Sequence, residues 1–316
     1  MKARNDIITP ELIKQYPNMN RTLRNWILWI PECEWVRDYF RGLDEGLGLL
    51  EVRELGEIIN RLASEKEGEY HEAIAEIAYI LLWKHLGWSF KKDPRINGKT
   101  PDFVVIPDGS KDLSFICDST VVRHNHPHET TLIETLEDLK KPLPLETAPI
   151  QQEGRFLMKI KEKFEKYKQI SIDTNAPLVI GCFLEKVEDS LFLDDFQVEN
   201  ALFGYETVNF TTGEFYHMPK IIDTEHGKAK VGIFAFDEYK PQTAIIVCGQ
   251  ESYRTSHEKL QHPKPHYPLK AKLSFDIYIN PLGVWADEKK NPFPAEGHSV
   301  DGLIDIQFKT MYAQVV

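Results

Sequence analysis

What this chain lacks bounds it first. Its 316 residues include only four cysteines (Cys33, Cys117, Cys182 and Cys248), widely separated and with no Cys-x-x-Cys pair. That excludes a disulfide scaffold and reads as reduced thiols packed mostly in a core, which suits a cytoplasmic protein. No apolar run is long enough to cross a bilayer, and none follows Met1–Asp6 to form a secretory signal. The expectation is a soluble protein with no membrane partner. There is no Gly-rich phosphate loop, no Gly-x-Ser-x-Gly, no His-Glu-x-x-His and no internal repeat, so the chemistries that need those motifs have no footing here. Positive charge is also short: 38 Lys and Arg stand against 49 Asp and Glu, a net charge of −11. This argues against a dedicated high-affinity nucleic-acid binder, but not against an enzyme that meets DNA through one local groove.

A hydrophobic content of 42% supplies core for one large domain or two modest ones. From about Thr9 to Glu67 the chain reads as helical, opened by Thr9-Pro10-Glu11 as a helix start. No chemistry is visible in this stretch, and its default role is an arm that packs on the core or forms a homodimer. Tyr70–Leu86 is the clearest helix, with Ala73, Ile74, Ile77, Ile80, Leu81 and Trp83 on a broad apolar face and Gly87 as its stop. Glu76 sits on or beside that buried face, and Glu72 is one turn earlier. Trp88-Ser89-Phe90 alternates into a strand. Gln152–Ile170 is a second strong helix, with Phe156, Leu157, Ile160, Phe164 and Tyr167 on one side and five lysines over much of the rest. Leu178–Leu184 is a fully apolar strand, and Val231–Phe236, Thr243–Cys248 and Phe275–Ile279 read as further strands. A helix between two strands is a crossover, so the sheet is parallel in part. The clustered cations Lys84, Lys91, Lys92, Arg95 and Lys99, and those from Arg155 to Lys168, read as solvated faces.

The residues that carry chemistry lie between Gly98 and Thr120. Phe103-Val104-Val105-Ile106 and Phe115-Ile116-Cys117 are strands of a hairpin turning at Pro107-Asp108-Gly109-Ser110. Asp102 stands at the mouth of the first strand and Asp118 follows the apolar approach of the second. Acids at the ends of buried strands need a cation to meet them, and two on adjacent strands can share a hard divalent ion such as Mg²⁺. His124, His126 and His128 invite a zinc reading, but alternation in an extended loop does not close a tetrahedral site unaided, and no cysteine is nearby.

Pro101-Asp102 followed by Asp118-Ser119-Thr120 resembles the PD-(D/E)xK signature of the restriction-endonuclease-like nucleases, in a branch that ends its motif acid-x-Thr. The resemblance covers about Glu69 to Leu184 and extends more loosely to Pro281. It implies an α/β core, a central mixed sheet flanked by helices, over residues 69–250, with an N-terminal helical arm (1–68) and a C-terminal extension packed on the core (251–316). It implies Glu76, Asp102, Asp118 and the Ser119 carbonyl as ligands to Mg²⁺ or Mn²⁺, and a nuclease acting on DNA in defence or repair. Thr120 stands where the signature has lysine. The resemblance also offers a substitute from the following helix, Lys163 or Lys166, with Lys163 preferred because it lies four residues before the apolar-face Tyr167. The alternative is a catalytically inactive member of the fold that binds nucleic acid or a protein partner.

Overall fold

The structure, a computed structural model, describes residues 7–20, 23–24, 27–28, 31, 34–107, 114–122, 152–184, 195–213, 215–224, 227–250, 271–299 and 303–312. The hairpin turn after Pro107, the three histidines and Cys33 lie outside these residues. An eight-stranded mixed sheet runs through the centre, in the order β1-β2-β3-β4-β9-β10-β12-β11. The first half is β1 (Ser89–Lys92), β2 (Phe103–Ile106), β3 (Phe115–Val122) and β4 (Leu178–Leu184). The second half is β9 (Gln242–Gln250), β10 (Ala271–Ile279), β11 (Glu296–Ser299) and β12 (Ile304–Tyr312). β3 and β4 are apolar or buried along their whole length because both of their faces are covered. They pair in parallel across the expected crossover helix, and β4 and β9 are parallel too. β1, by contrast, is an edge strand and carries Lys91 outward.

One face is covered by α2 (Glu34–Leu47), α3 (Val52–Leu62) and α4 (Glu67–His85), the other by α5 (Gln152–Thr174) and α6 (Asp195–Phe203), with the short α1 (Pro10–Gln15) beside the first group. α4 is apolar nearly all round because it is buried nearly all round, with Tyr79, Ile80, Leu82 and Trp83 at zero exposure. Its seat on the sheet depends on Gly181 of β4. A Cβ there would stand 2.5 Å from the Tyr79 ring, and the Tyr79 hydroxyl donates to the Ile246 carbonyl at 2.9 Å. From the N-terminal helices, Val36, Phe40, Ile58 and Leu62 pack into the same cluster as α4. The segment expected as an extension contributes three strands to the one sheet.

Of the expected strand Val231–Phe236 only Val231 lies in a ladder, at the end of a small hairpin. Two small hairpins, β5–β6 (Tyr205–Val208, Phe215–Met218) and β7–β8 (Lys220–Thr224, Gly227–Val231), lead into it. Gly232 then takes φ 74°, and Ile233–Ala235 is a 3₁₀ turn. The apolar run is buried, but as a turn against α6 rather than as a ladder; a left-handed glycine breaks a strand that periodicity alone would continue. Among the described residues the thiols of Cys117, Cys182 and Cys248 are buried and form no disulfide with one another.

Candidate active site

The hairpin register creates the site. β2 and β3 are antiparallel, with Phe103 opposite Cys117 and Val104 opposite Ile116. The next pair along that register is Asp102 and Asp118, two acids facing each other across the ladder. Like charges in that position repel unless something holds them. The holding begins locally: the Asp102 N–H donates to Asp118 Oδ1 at 3.2 Å. Asp102 Oδ2 in turn accepts the Ser119 N–H at 2.7 Å and the Ser119 hydroxyl at 2.5 Å.

Strand alternation brings in α5. On β3, Cys117 and Val121 pack with the α4 cluster, whereas Ile116 and Val122 pack with the α5 cluster. Asp118 and Thr120 share the second set's parity and so turn towards α5. There Lys163 waits, in step with the buried Ile160 and Tyr167 at spacings of three and four. Its Nζ lies 2.6 Å from Asp118 Oδ2, with Asp118 only 1% exposed. Lys166, the other candidate, makes no such contact: its Nζ lies 4.7 Å over the Tyr167 ring, and its carbonyl accepts from Lys99.

Glu76 enters from α4 and is buried. Its Oε1 accepts from Arg61 Nη1 at 2.5 Å, and Lys92 Nζ stands 2.7 Å from Oε2. Neither Arg61 nor Lys92 is anticipated from sequence as part of a site. α3 shows only amphipathic spacing, and Lys92 is hidden in a run of cations expected to be solvated. That expectation fails for Lys92, whose side chain is 2% exposed. It lies opposite Phe103 in the β1–β2 ladder, bridges to Asp93 Oδ2 at 2.7 Å and rests over the Phe103 ring. The available signal was position: two residues after Phe90, on the strand next to Asp102. Tyr167 is a third addition. Its hydroxyl donates to the Thr100 carbonyl at 2.8 Å, fixing the chain that leads into Asp102, and burial and then the charge of Asp118 raise its phenol well above the usual range.

Charges in the cluster do not balance. Among the described residues Glu76 has two cations and Asp118 has one, whereas Asp102 has only Ser119 at contact distance. Burial, then the charges of Asp118 and Glu76, push the Asp102 carboxyl up to about 7, against the pull of Lys163 and Ser119. Burial would push Glu76 up as well, but the Arg61 hydrogen bond and the Lys92 charge outweigh it and hold that carboxyl below the usual range. Lys163 shows the converse: burial favours the neutral amine, but Asp118 and Asp102 keep the ammonium charged.

A cleft of about 640 Å³ opens beside Thr120. Its floor is Thr120, Val121 and Val122; its walls include Glu72 from α4 and Arg155, Met158, Lys159 and Lys161 from α5. Glu72 thus lines the cleft, while Glu76 is held by Arg61 and Lys92 and acts on Asp102 through its charge. The donor set fits a hard divalent cation by its chemistry, since every donor is oxygen. Two of the buried acid oxygens, Glu76 Oε2 and Asp118 Oδ2, meet an ammonium without hydrogen-bond alignment. Among the described residues, however, no three metal-ligating side chains converge on one point. Arg61, Lys92, Lys163 and Ser119 each contact one of the acid oxygens. No helix among the described residues is long and apolar enough to cross a membrane. No family model matches the chain, and neither a curated protein nor a solved structure is significantly similar to it.

Proposed function

We propose that the chain is a metal-dependent phosphodiesterase acting on nucleic acid, DNA before RNA, as its likeness to the restriction-endonuclease-like nucleases implies. The observation that carries this reading is the opposed pair Asp102 and Asp118, which Lys163 alone among the described cations touches. A pair of acids, one buried and one half-buried, with a deficit of positive charge is a place where a divalent cation gains more than a proton does. Asp102 and Asp118 would hold Mg²⁺ or Mn²⁺, with Glu76 and the Ser119 carbonyl as further donors. The ion would supply a hydroxide near neutrality and neutralise charge developing on the phosphate.

The chain's own residues do the rest. Lys163 carries the positive charge that Thr120 cannot, and stands close enough to Asp118 to orient a water and stabilise a pentavalent phosphate. Thr120 offers a hydroxyl at the floor of the cleft. Arg155, Lys159 and Lys161 would meet a phosphate backbone in the cleft, whose walls also carry Glu72, Glu162 and Glu165. The direct test is calorimetry with Mn²⁺: wild type binds, and an Asp102→Asn, Asp118→Asn double variant does not. Equal affinity in the two proteins would refute the assignment.

A second reading has one observation in its favour. Glu76 is neutralised by two cations, Arg61 and Lys92, as in a structural ion network. On that reading the fold binds nucleic acid or a protein partner without catalysis, and its acids serve stability alone.

A further inference from the structure

The ion pair on Glu76 is asymmetric. Lys92 is sealed in, at 2% exposure, and divides its charge between Glu76 and Asp93, both at 2.7 Å. Arg61 is different: it comes from the last turn of α3, its side chain is 30% exposed, and it touches Glu76 through one nitrogen at 2.5 Å. Of the two cations it alone can leave towards solvent without burying an unpaired charge. Asp102 and Asp93 also act on the guanidinium through their charge. A partly exposed guanidinium at the rim of an acid cluster can grip a phosphate with two parallel hydrogen bonds, which its single contact to Glu76 does not use.

We propose that Arg61 is a positioning residue that holds Glu76 away from the metal and exchanges it for a phosphate group of the substrate. This rests on the metal-dependent reading above. Without substrate, Arg61 and Lys92 neutralise Glu76, and the metal is held weakly by the two aspartates. When a phosphodiester takes the guanidinium, Glu76 Oε1 is released as a third donor. Metal and phosphate therefore tighten one another's binding, and each must do so by the same factor. The N-terminal helices thereby acquire a role in the site that their packing alone would not require.

The experiment measures Mn²⁺ affinity by calorimetry for wild type, Arg61→Ala and Arg61→Met, with and without a phosphorothioate-linked dinucleotide. Arg61→Met keeps most of the aliphatic stem in place should the alanine variant fold poorly. Arg53→Ala controls for the loss of one positive charge, since Arg53 lies on the same helix at 88% exposure and pairs with Glu57. In the absence of dinucleotide, both Arg61 variants should bind Mn²⁺ about tenfold more tightly than wild type, the effect of removing one competing ion pair of modest net strength. Arg53→Ala should match wild type. The dinucleotide should tighten Mn²⁺ binding in wild type and leave the Arg61 variants unchanged. If wild type binds Mn²⁺ and the Arg61 variants bind it equally or more weakly, the exchange is wrong and the metal reading survives. If neither wild type nor the Arg61 variants bind Mn²⁺, the metal reading itself falls.

Discussion

Asp102→Asn should make the metal-free protein more stable at pH 8, although it removes a carboxylate that accepts two hydrogen bonds. Asp102 is held near 7 in the folded chain against an ordinary 3.8. Ionising it there is therefore disfavoured over about three pH units, or about 4 kcal/mol at 1.36 kcal/mol for each. Asp102 is only half-buried, so solvent takes up part of that, and about 2–4 kcal/mol is the working range. The direction follows from linkage. A carboxyl raised on folding favours the native state below the unfolded value, and that advantage is lost as pH climbs from about 4 through 7. Asparagine does not titrate, and its carbonyl oxygen can still accept from Ser119. Urea unfolding in EDTA, at pH 4 and pH 8, reads the difference between the two proteins; every other titrating group is common to both and cancels to first order. The variant should be close to wild type or slightly weaker at pH 4, and more stable at pH 8 by up to the full range. A variant weaker than wild type by the same amount at both pH values would refute the charge imbalance on which the site is built.

Three further outcomes follow from the same geometry. Lys163→Ala should lower nuclease turnover about 10²–10³-fold, as loss of one transition-state donor does, measured on a cleaved oligonucleotide at saturating Mn²⁺. Thr120→Lys should not raise turnover in the same assay, because Lys163 already fills that role and a second ammonium would enter beside it on the α5 side of β3. Gly181→Ala should lower stability by about 1–3 kcal/mol in urea, since the new methyl meets the Tyr79 ring at 2.5 Å.

Much of this arrangement is legible before any fold is known. The helix, three strands, helix, strand order appears in sequence because each element carries its own pattern: a period of 3.6 in α4 and α5, a short apolar run opening β3 and an unbroken one in β4. The acids stand out because Asp102 and Asp118 interrupt strands that are otherwise apolar. Lys163 is legible because it falls in step with Ile160 and Tyr167. Arg61 and Lys92 are not, for a physical reason. Their role depends on how α3 and β1 pack around Glu76, and the sequence of an amphipathic helix or an edge strand looks the same whether its cation faces water or a buried acid. The same holds for the turn after Gly232, where a single φ angle overrides the local pattern. The place of residues 271–312 in the sheet is a third case, since strand order is set by long-range pairing that no window of sequence contains.

The most direct test of the central claim is cleavage itself. Purified protein is incubated in Mn²⁺ with a mixture of single-stranded, duplex and branched DNA, beside an Asp118→Asn variant and an EDTA control. The account predicts phosphodiester cleavage by wild type that EDTA abolishes and that falls to background in Asp118→Asn. No cleavage of any substrate by a wild-type protein that binds Mn²⁺, or cleavage that Asp118→Asn leaves intact, would contradict it.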